Sequence, residues 1–401
     1  MHEYKNWGSF SQFHTLYDDD DFFYLYVSFF KGVAMLYTID RDSLFEGLSK
    51  TISITDKRTS LPILSHVLIE VTTSSMILSA TDLVVSVRMI FECDVQRQGL
   101  AVVPGRKLFE IVKEMSSTRL TFEYLPSGRI KITGGKSVFE LSSLNPEDYP
   151  SLDEFTSVET APIDRKTFLD MLEKTIFAAS TDESRMILCG VLLEKDDEGM
   201  NAVATDSHRL GWVSGAFKLP LPARVILPRR GILELKRLLE GTKGEIFLGF
   251  HEKSVLITSD RFLMSIRLLE GSYPDYRRVI PQEEGKKFIA NRLQLVQAVR
   301  RVGLLTSDHQ RGIILDVVPG LLRLTASHPD LGRAEEELAV TYEGEPFTMQ
   351  INYLYLLDAL DAIDTETLSV EFFAENKPVV FKPVPAGNHF NIVMPIRREE
   401  D

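Results

Sequence analysis

The sequence contains few of the residues from which metal sites and covalent frameworks are built. Only two cysteines, Cys93 and Cys189, occur among the 401 residues; they lie far apart and have no metal-ligand spacing. This scarcity argues against a disulfide framework and against a zinc site. We therefore expect both cysteines to be small core residues, and we expect neither a metal nor a cofactor.

The chain also lacks an apolar run of about eighteen residues, the length that a membrane-spanning helix requires, and it lacks a secretory signal pattern. We therefore expect a cytoplasmic protein without a membrane partner. Its formal net charge is -13, whereas a protein that simply coats nucleic acid is basic, because Lys and Arg neutralise phosphates. A nucleic-acid partner thus requires positive charge gathered on one surface.

Catalytic and nucleotide-binding motifs are missing as well. Asp206, Ser207 and His208 are the residue types of a catalytic relay, but they are consecutive, and neighbours on an extended chain point to opposite faces. The Gly-Gly-Lys-Ser stretch at 134–137 resembles the end of a P-loop, yet strand patterns flank it where a helix should follow. We interpret it as a hairpin turn, and we do not expect an enzyme.

What the sequence does contain is a threefold internal repeat. The stretch Ala204–Leu210 shares Ala-Thr-Asp with residues 80–82 and a weaker likeness with residues 326–328, and the copies are offset by about 120 residues. This period is far above that of solenoid repeats, so each copy can bury its own core. We therefore expect three similar domains, at residues 35–157, 158–282 and 283–401.

Residues 1–34 have no counterpart in the repeat. They combine aromatic side chains with the acidic run Asp18–Asp21, whereas the periodic apolar pattern begins at Met35. We interpret them as a disordered extension, or as a start assigned upstream of a natural one at Met35. The alternative is an aromatic docking peptide for a partner protein.

Each repeat combines two helical patterns with several strands. Residues 40–43 offer capping side chains before a helix, and a second helix follows a strand that ends in Pro or Asn. The remaining strands alternate in the antiparallel manner and are joined by short turns. The fold class is therefore α+β, with two helices packed on antiparallel sheets in each domain. The second helices are predicted at Lys107–Met115, Gly231–Leu239 and Leu354–Ile363.

Basic residues recur on predicted helices of all three repeats, on first helices as well as on second ones. Arg292, Arg300 and Arg301 lie on one helix that contains no acidic residue, while acidic clusters such as Glu335–Glu337 fall elsewhere. This pattern indicates a basic surface made of helices. The alternative is the charged face that any solvent-exposed helix carries.

Three motifs together resemble one family. They are Ala204–Leu210, Gly271–Pro281 and Val393–Arg397. They closely resemble the bacterial β sliding clamp, the processivity subunit of DNA polymerase III, and the resemblance extends from Met35 to Arg398. It implies a homodimer closed head to tail into a ring of six domains, with helices lining a hole for double-stranded DNA of any sequence. It also implies docking of the DNA polymerase III core, the clamp loader and other proteins that carry clamp-binding peptides.

The resemblance carries over site residues position by position. The implied peptide pocket consists of Leu188, Thr205, Ser207, His208, Arg209, Leu210, Pro274, Arg278, Val279, Tyr355, Pro378, Ile392, Met394, Pro395, Ile396 and Arg397. The implied DNA-facing residues are Arg58, Arg106, Lys107, Arg185, Arg229 and Arg230. At the implied ring joint, Phe139 of one subunit meets Leu304 and Leu305 of the other.

The sequence departs from the family at two pocket positions: Ser207 stands where glycine is frequent, and Pro378 where some members have serine. A second function class also remains, a three-domain scaffold that binds peptides without encircling DNA.

Overall fold

The structure is a computed structural model that describes residues 35–55, 61–151, 158–197, 199–216, 222–242, 244–251, 253–307, 311–374 and 376–397. Its elements follow the same order in all three repeats: a strand, a helix, four strands, a second helix and three strands, with one additional strand in the first repeat. Every strand pair is antiparallel. The predicted threefold repeat and the α+β class are confirmed.

The first repeat comprises β1 Leu36–Asp40, α1 Arg41–Thr51, β2 His66–Val71, β3 Ser75–Thr81, β4 Val85–Glu92, β5 Asp94–Arg97, β6 Gly99–Pro104, α2 Gly105–Glu114, β7 Arg119–Tyr124, β8 Arg129–Gly134 and β9 Ser137–Ser142. The second comprises β10 Thr160–Ile163, α3 Arg165–Ile176, β11 Gly190–Lys195, β12 Met200–Thr205, β13 Arg209–Gly215, β14 Arg224–Pro228, α4 Arg229–Leu239, β15 Ile246–His251, β16 Ser254–Thr258 and β17 Phe262–Arg267. The third comprises β18 Lys286–Asn291, α5 Arg292–Gly303, β19 Gly312–Val318, β20 Leu321–His328, β21 Gly332–Ala339, β22 Phe347–Asn352, α6 Tyr353–Asp361, β23 Thr367–Phe372, β24 Val379–Val384 and β25 His389–Val393.

Side-chain caps fix where several helices begin. The Asp40 carboxylate accepts a hydrogen bond from the Ser43 backbone N–H at 2.8 Å, which lowers the pKa of Asp40. Asn291 and Asn352 cap α5 and α6 in the same way, at 3.1 and 3.0 Å. Each cap satisfies a backbone donor that the first turn of a helix leaves unpaired, a contribution of about 1 kcal/mol.

Contacts divide the chain into two compact units, and the second repeat contributes to both. The first unit contains the described residues up to Asp164 together with those of Arg230–Leu268. It holds a five-stranded sheet in the order β5-β1-β7-β8-β9 and an eight-stranded sheet in the order β10-β15-β16-β17-β4-β3-β2-β6. The larger sheet continues from the first repeat into the second through the pairing of β4 with β17.

The second unit contains the described residues of Arg165–Arg229 and those from Leu269 to Arg397. Its eight-stranded sheet has the order β14-β11-β12-β13-β25-β24-β23-β18, and its four-stranded sheet the order β21-β20-β19-β22. Gly211 on β13 faces α3, because a Cβ added there would lie 3.0 Å from the Lys174 carbonyl oxygen. Its neighbours Leu210 and Trp212 therefore point to the opposite face, where a separate apolar cluster lies.

Two local predictions have definite outcomes. The Gly-Gly stretch is a hairpin turn as predicted, since β8 ends at Gly134, β9 begins at Ser137 and Gly135 has a φ of +60°. The expected core positions of the cysteines are wrong. Cys93 and Cys189 are free and only half-buried, because both stand between elements, where the inward alternation of a strand or helix does not apply.

Candidate partner-binding site

The candidate site begins with a hairpin turn between β12 and β13. Asp206 accepts hydrogen bonds from the backbone N–H groups of His208 and Arg209 at 2.9 and 3.0 Å, and Thr205 Oγ1 accepts from the Ser207 N–H at 3.2 Å. Residues 206–208 therefore form a turn between two strands, and the extended chain expected for them is wrong. The side chain of Asp206 replaces strand pairing with a local turn, which is typical of Asp.

The first repeat contains the same turn. Asp82 accepts from the N–H groups of Val84 and Val85 at 2.9 and 2.7 Å, and Thr81 Oγ1 accepts from Leu83 at 3.0 Å. Leu83 and Ser207 occupy the same place in the two turns, with φ angles of +72° and +78°. Both are in the left-handed region that glycine adopts without steric cost.

Replacing Ser207 by glycine should therefore stabilise the chain, by up to about 1 kcal/mol, because the left-handed conformation strains any side chain. Ser207→Val should lower the free energy of unfolding, since a β-branched residue fits this region poorly. Urea unfolding of the parent and the two variants measures the order of their free energies of unfolding. Equal stabilities of the Gly and Val variants would contradict the turn geometry.

Arg209 lies at the centre of the polar contacts behind the turn. Its guanidinium pairs with Asp206 at 3.0 Å and with Asp358 of α6, and it lies over the Tyr355 ring at 4.5 Å from the centroid. The side chain is only 13% exposed. Arg209 therefore fixes the turn against α6 and has little surface left for a ligand. This is a structural role that the pocket assignment did not foresee.

The C-terminal segment runs beside His208. Met394 donates its backbone N–H to the His208 carbonyl oxygen at 2.8 Å, and Ile396 donates to the Gln350 carbonyl oxygen at 2.7 Å. The His208 and Tyr355 rings stack with centroids 6.1 Å apart. The turn, the start of α6 and the C-terminal segment thus meet.

The third part of the site is the segment Leu269–Gln282, which we name the strap. Tyr273 accepts a hydrogen bond from the Thr205 backbone N–H at 3.0 Å and is buried. Pro274, Arg278 and Val279 are exposed. Tyr273 thereby joins the strap to the hairpin turn, a role that its place in the Gly271–Pro281 motif did not disclose.

The remaining pocket residues differ in burial. Leu188, Leu210 and Ile392 belong to the buried apolar cluster beneath the turn and the strap, so they form a floor. Pro378, Met394 and Pro395 are half-buried, while Ile396 and Arg397 are exposed. The exposed residues form an apolar surface with a few polar groups around it.

The implied DNA-facing residues are mostly engaged within the chain. Arg106 and Lys107 both pair with Glu110, and Arg230 pairs with Asp82. Arg229 donates to the Ile176 carbonyl oxygen at 3.1 Å, and Arg185 to that of Asp206 at 2.9 Å. Arg185 therefore lies behind the hairpin turn. Arg58 lies outside the described residues.

The residues implied for the ring joint are on exposed positions. Phe139 is 40% exposed on β9, an edge strand whose side chains are accessible on both faces. Leu304 follows α5 and is 77% exposed, and Leu305 is half-buried. Large exposed apolar side chains next to an open sheet edge are typical of an interface.

Within the described ranges, no cluster of three or more His, Cys, Asp and Glu side chains is arranged to hold a metal ion. None of the helices in this part of the chain is long and apolar enough to cross a membrane.

Comparison with protein families shows that each of the three repeats matches one domain of a known family. Residues 35–153 match the N-terminal domain of the DNA polymerase III beta subunit, residues 162–275 its central domain and residues 277–397 its C-terminal domain. The chain is 33% identical to the beta sliding clamp of Pseudomonas aeruginosa over 367 residues, which are 90% of this chain and 100% of that protein. It is 31% identical to the Escherichia coli K12 beta sliding clamp over 365 residues, again 90% of this chain and 100% of the relative.

Solved structures of beta sliding clamps have the same fold as this chain. The crystal structure of the Pseudomonas aeruginosa sliding clamp bound to griselimycin has a TM-score of 0.86 at 31% identity and covers 91% of this chain and 100% of its own. The Bacillus subtilis clamp has a TM-score of 0.86 at 26% identity, with the same coverage. The chain therefore belongs to the family of bacterial beta sliding clamps, the beta subunits of DNA polymerase III.

Proposed function

We propose that two copies of this chain close head to tail into a ring around duplex DNA and tether the DNA polymerase III core, the clamp loader and other partners. The observation that carries the proposal is the match of all three repeats along the full length of the curated relatives. As a member of its family the chain is a DNA sliding clamp that confers processivity, and it is not an enzyme. Its proposed domains are residues 35–157, 158–282 and 283–401, after the extension 1–34, and its proposed place of action is the cytoplasm.

The helices supply the proposed lining of the hole. Twelve helices from two copies, set side by side at about 8 to 10 Å, have a circumference of roughly 110 Å and leave a bore of about 25 Å, wide enough for a duplex. The ring then holds the DNA by enclosing it, and strong contacts to the DNA are not needed. Because exposed ion pairs contribute little energy, basic side chains such as Arg106 and Lys107 can exchange Glu110 for passing phosphates. Such weak, sequence-independent contacts allow sliding.

The proposed joint brings Phe139 of one protomer against Leu304 and Leu305 of the other. The exposure of Phe139 and Leu304 and the open edge at β9 support this assignment. The proposed peptide pocket combines the hairpin turn, the strap and the C-terminal segment above the floor of buried leucine and isoleucine. Partner anchors of Leu and Phe type fit an apolar surface of this kind.

Retention on circular DNA tests encirclement. Subunits reassembled around a nicked circle should stay bound through gel filtration, and cutting the same circle once should release them, because a ring slides off an open end. The alternative function, a peptide-binding scaffold without DNA, predicts no difference between the two DNA forms. Loss of binding on cutting would exclude it, and equal binding before and after cutting would exclude encirclement.

Two lysines are expected to contribute more to DNA contact than the residues implied by resemblance. Lys113 on α2 and Lys166 on α3 are exposed, and neither pairs with a carboxylate in the described parts of the chain. Replacing both by Gln should lower the slope of log affinity against log salt by about 1 per lysine, with the sequence preference unchanged. Lys382→Gln is the control, because Lys382 is engaged with Glu371 on a strand. A slope that stays equal to that of the parent would refute the assignment.

A further inference from the structure

The strap presents two faces that alternate along the chain. Tyr273 and Tyr276 are buried in the apolar cluster on the sheet, with Leu192 and Val203 beneath them. The intervening and following residues, Pro274 and Arg277–Val279, point outward and are exposed. The position of the outward face therefore depends on how firmly the two tyrosines are held against the sheet.

A single buried carboxylate holds one of these tyrosines. Glu194 on β11 is only 8% exposed, and it accepts a hydrogen bond from the Tyr276 hydroxyl at 2.9 Å. It also pairs with Arg224 at 2.8 Å and with the guanidinium of Arg277. Burial, together with the hydrogen bond to Glu194, raises the pKa of Tyr276 to about 12, which favours the protonated hydroxyl that donates to Glu194.

These contacts fix the strap more closely than apolar packing does. Aromatic rings on an apolar surface can slide, whereas charge-assisted hydrogen bonds have a preferred direction and length. Arg277 adds a second constraint, because its guanidinium lies over the Tyr276 ring at 4.7 Å from the centroid. A buried carboxylate with three donors is satisfied, and the removal of its charge leaves two arginines without their partner.

The other repeats place an acid at the same strand position but use it differently. Glu70 on β2 is buried to 4% exposure and faces Arg88, a residue two strands away on the same sheet. Asp316 on β19 accepts a hydrogen bond from Thr348 Oγ1 at 2.6 Å. In the middle repeat, by contrast, the acid anchors the chain segment that bears Pro274, Arg278 and Val279.

We propose that Glu194 is a positioning residue of the partner-binding site, which holds the strap so that its exposed face forms a finished wall before a peptide arrives. The inference rests on the proposed peptide pocket and adds a residue that does not touch the peptide. A wall that is formed in advance spares the ligand the cost of ordering it. Loss of the anchor therefore weakens binding without removing any contact to the peptide.

The test uses the full chain and a fluorescein-labelled decapeptide with adjacent Leu and Phe residues, titrated by anisotropy. Glu194→Gln keeps an oxygen acceptor for Tyr276 but loses both ion pairs, and it should weaken binding roughly tenfold. Tyr276→Phe removes one hydroxyl and should have a smaller effect. The affinity of the double variant should fall by less than the product of the two single fold-changes, because both residues act through the same contact. Glu70→Gln is the matched control and should bind like the parent.

Fluorescence of Trp212 reports the strap directly. Its indole packs against the apolar cluster that contains Tyr276 and stacks on Phe390 at 4.9 Å between centroids. In a Trp7→Phe background Trp212 is the remaining tryptophan of the two. Glu194→Gln should shift its emission to longer wavelength, and saturating peptide should shift it back.

The outcomes separate the two proposals. Failure of the parent chain to bind the peptide overturns the pocket and this inference with it. Binding by the parent with equal affinity for Glu194→Gln overturns the inference alone. Equal weakening in Glu70→Gln also overturns it, because the loss then reflects general destabilisation. Weakened binding with the Trp212 shift, confined to Glu194→Gln and Tyr276→Phe, is the expected result.

Discussion

Replacing Leu304 and Leu305 by lysine should convert the dimer into folded monomers. In the proposed ring each joint buries these positions against Phe139, and a buried charge without a partner costs several kcal/mol. The symmetry of a dimeric ring repeats this cost at a second joint. Leu304 is 77% exposed within one chain and Leu305 is half-buried, outside the core, so the change should leave the fold of the protomer intact.

Sedimentation velocity gives the oligomeric state, and circular dichroism confirms that the monomers remain folded. Leu293→Lys is the matched control, because Leu293 lies on α5 and is 56% exposed but is not part of the proposed joint. It should remain a dimer. If the Leu304 and Leu305 variant also sediments as a dimer, the joint lies elsewhere and the placement of Phe139 is wrong.

The local structure was predictable wherever short-range chemistry determines it. The α1 start follows from Asp40 and Ser43, which are close in sequence and form the cap themselves. The turn at Gly134-Gly135 follows from the glycine preference for positive φ. The turn at 206–208 escaped prediction because Ser207 adopts the left-handed region without being a glycine, although Asp206 is a residue that favours turns.

The polar contacts of the site were not predictable for a different reason. Arg209 meets Asp358, which is 149 residues away in sequence, and Glu194 meets Tyr276 and Arg277 across more than 80. Only the pairing of β13 with β25 and the course of the strap bring these partners together. The same limitation applies to charge. The number of basic residues on a helix does not reveal that one of them, Arg230, is already paired with Asp82.

Removing Met394–Asp401 should separate peptide binding from ring formation. The deletion leaves β25 intact, because that strand ends at Val393, but it removes the hydrogen bonds to His208 and Gln350 and the exposed side chain of Ile396. One wall of the proposed pocket is then absent. The loss of such a wall should cost about 2 to 4 kcal/mol, or roughly thirtyfold to several hundredfold in affinity, because few contacts carry most of the binding energy.

A shorter deletion that begins after Arg397 is the matched control. It removes the terminal charges but keeps Met394–Arg397, so it should bind the Leu/Phe decapeptide like the parent. Anisotropy measures the affinity for the peptide. Sedimentation measures the oligomeric state, and retention on nicked circular DNA shows whether the ring closes. If the longer deletion binds the peptide normally, the C-terminal segment is not a wall of the pocket. If it sediments as a monomer, the segment also contributes to the joint, and the separation of peptide binding from ring closure does not hold.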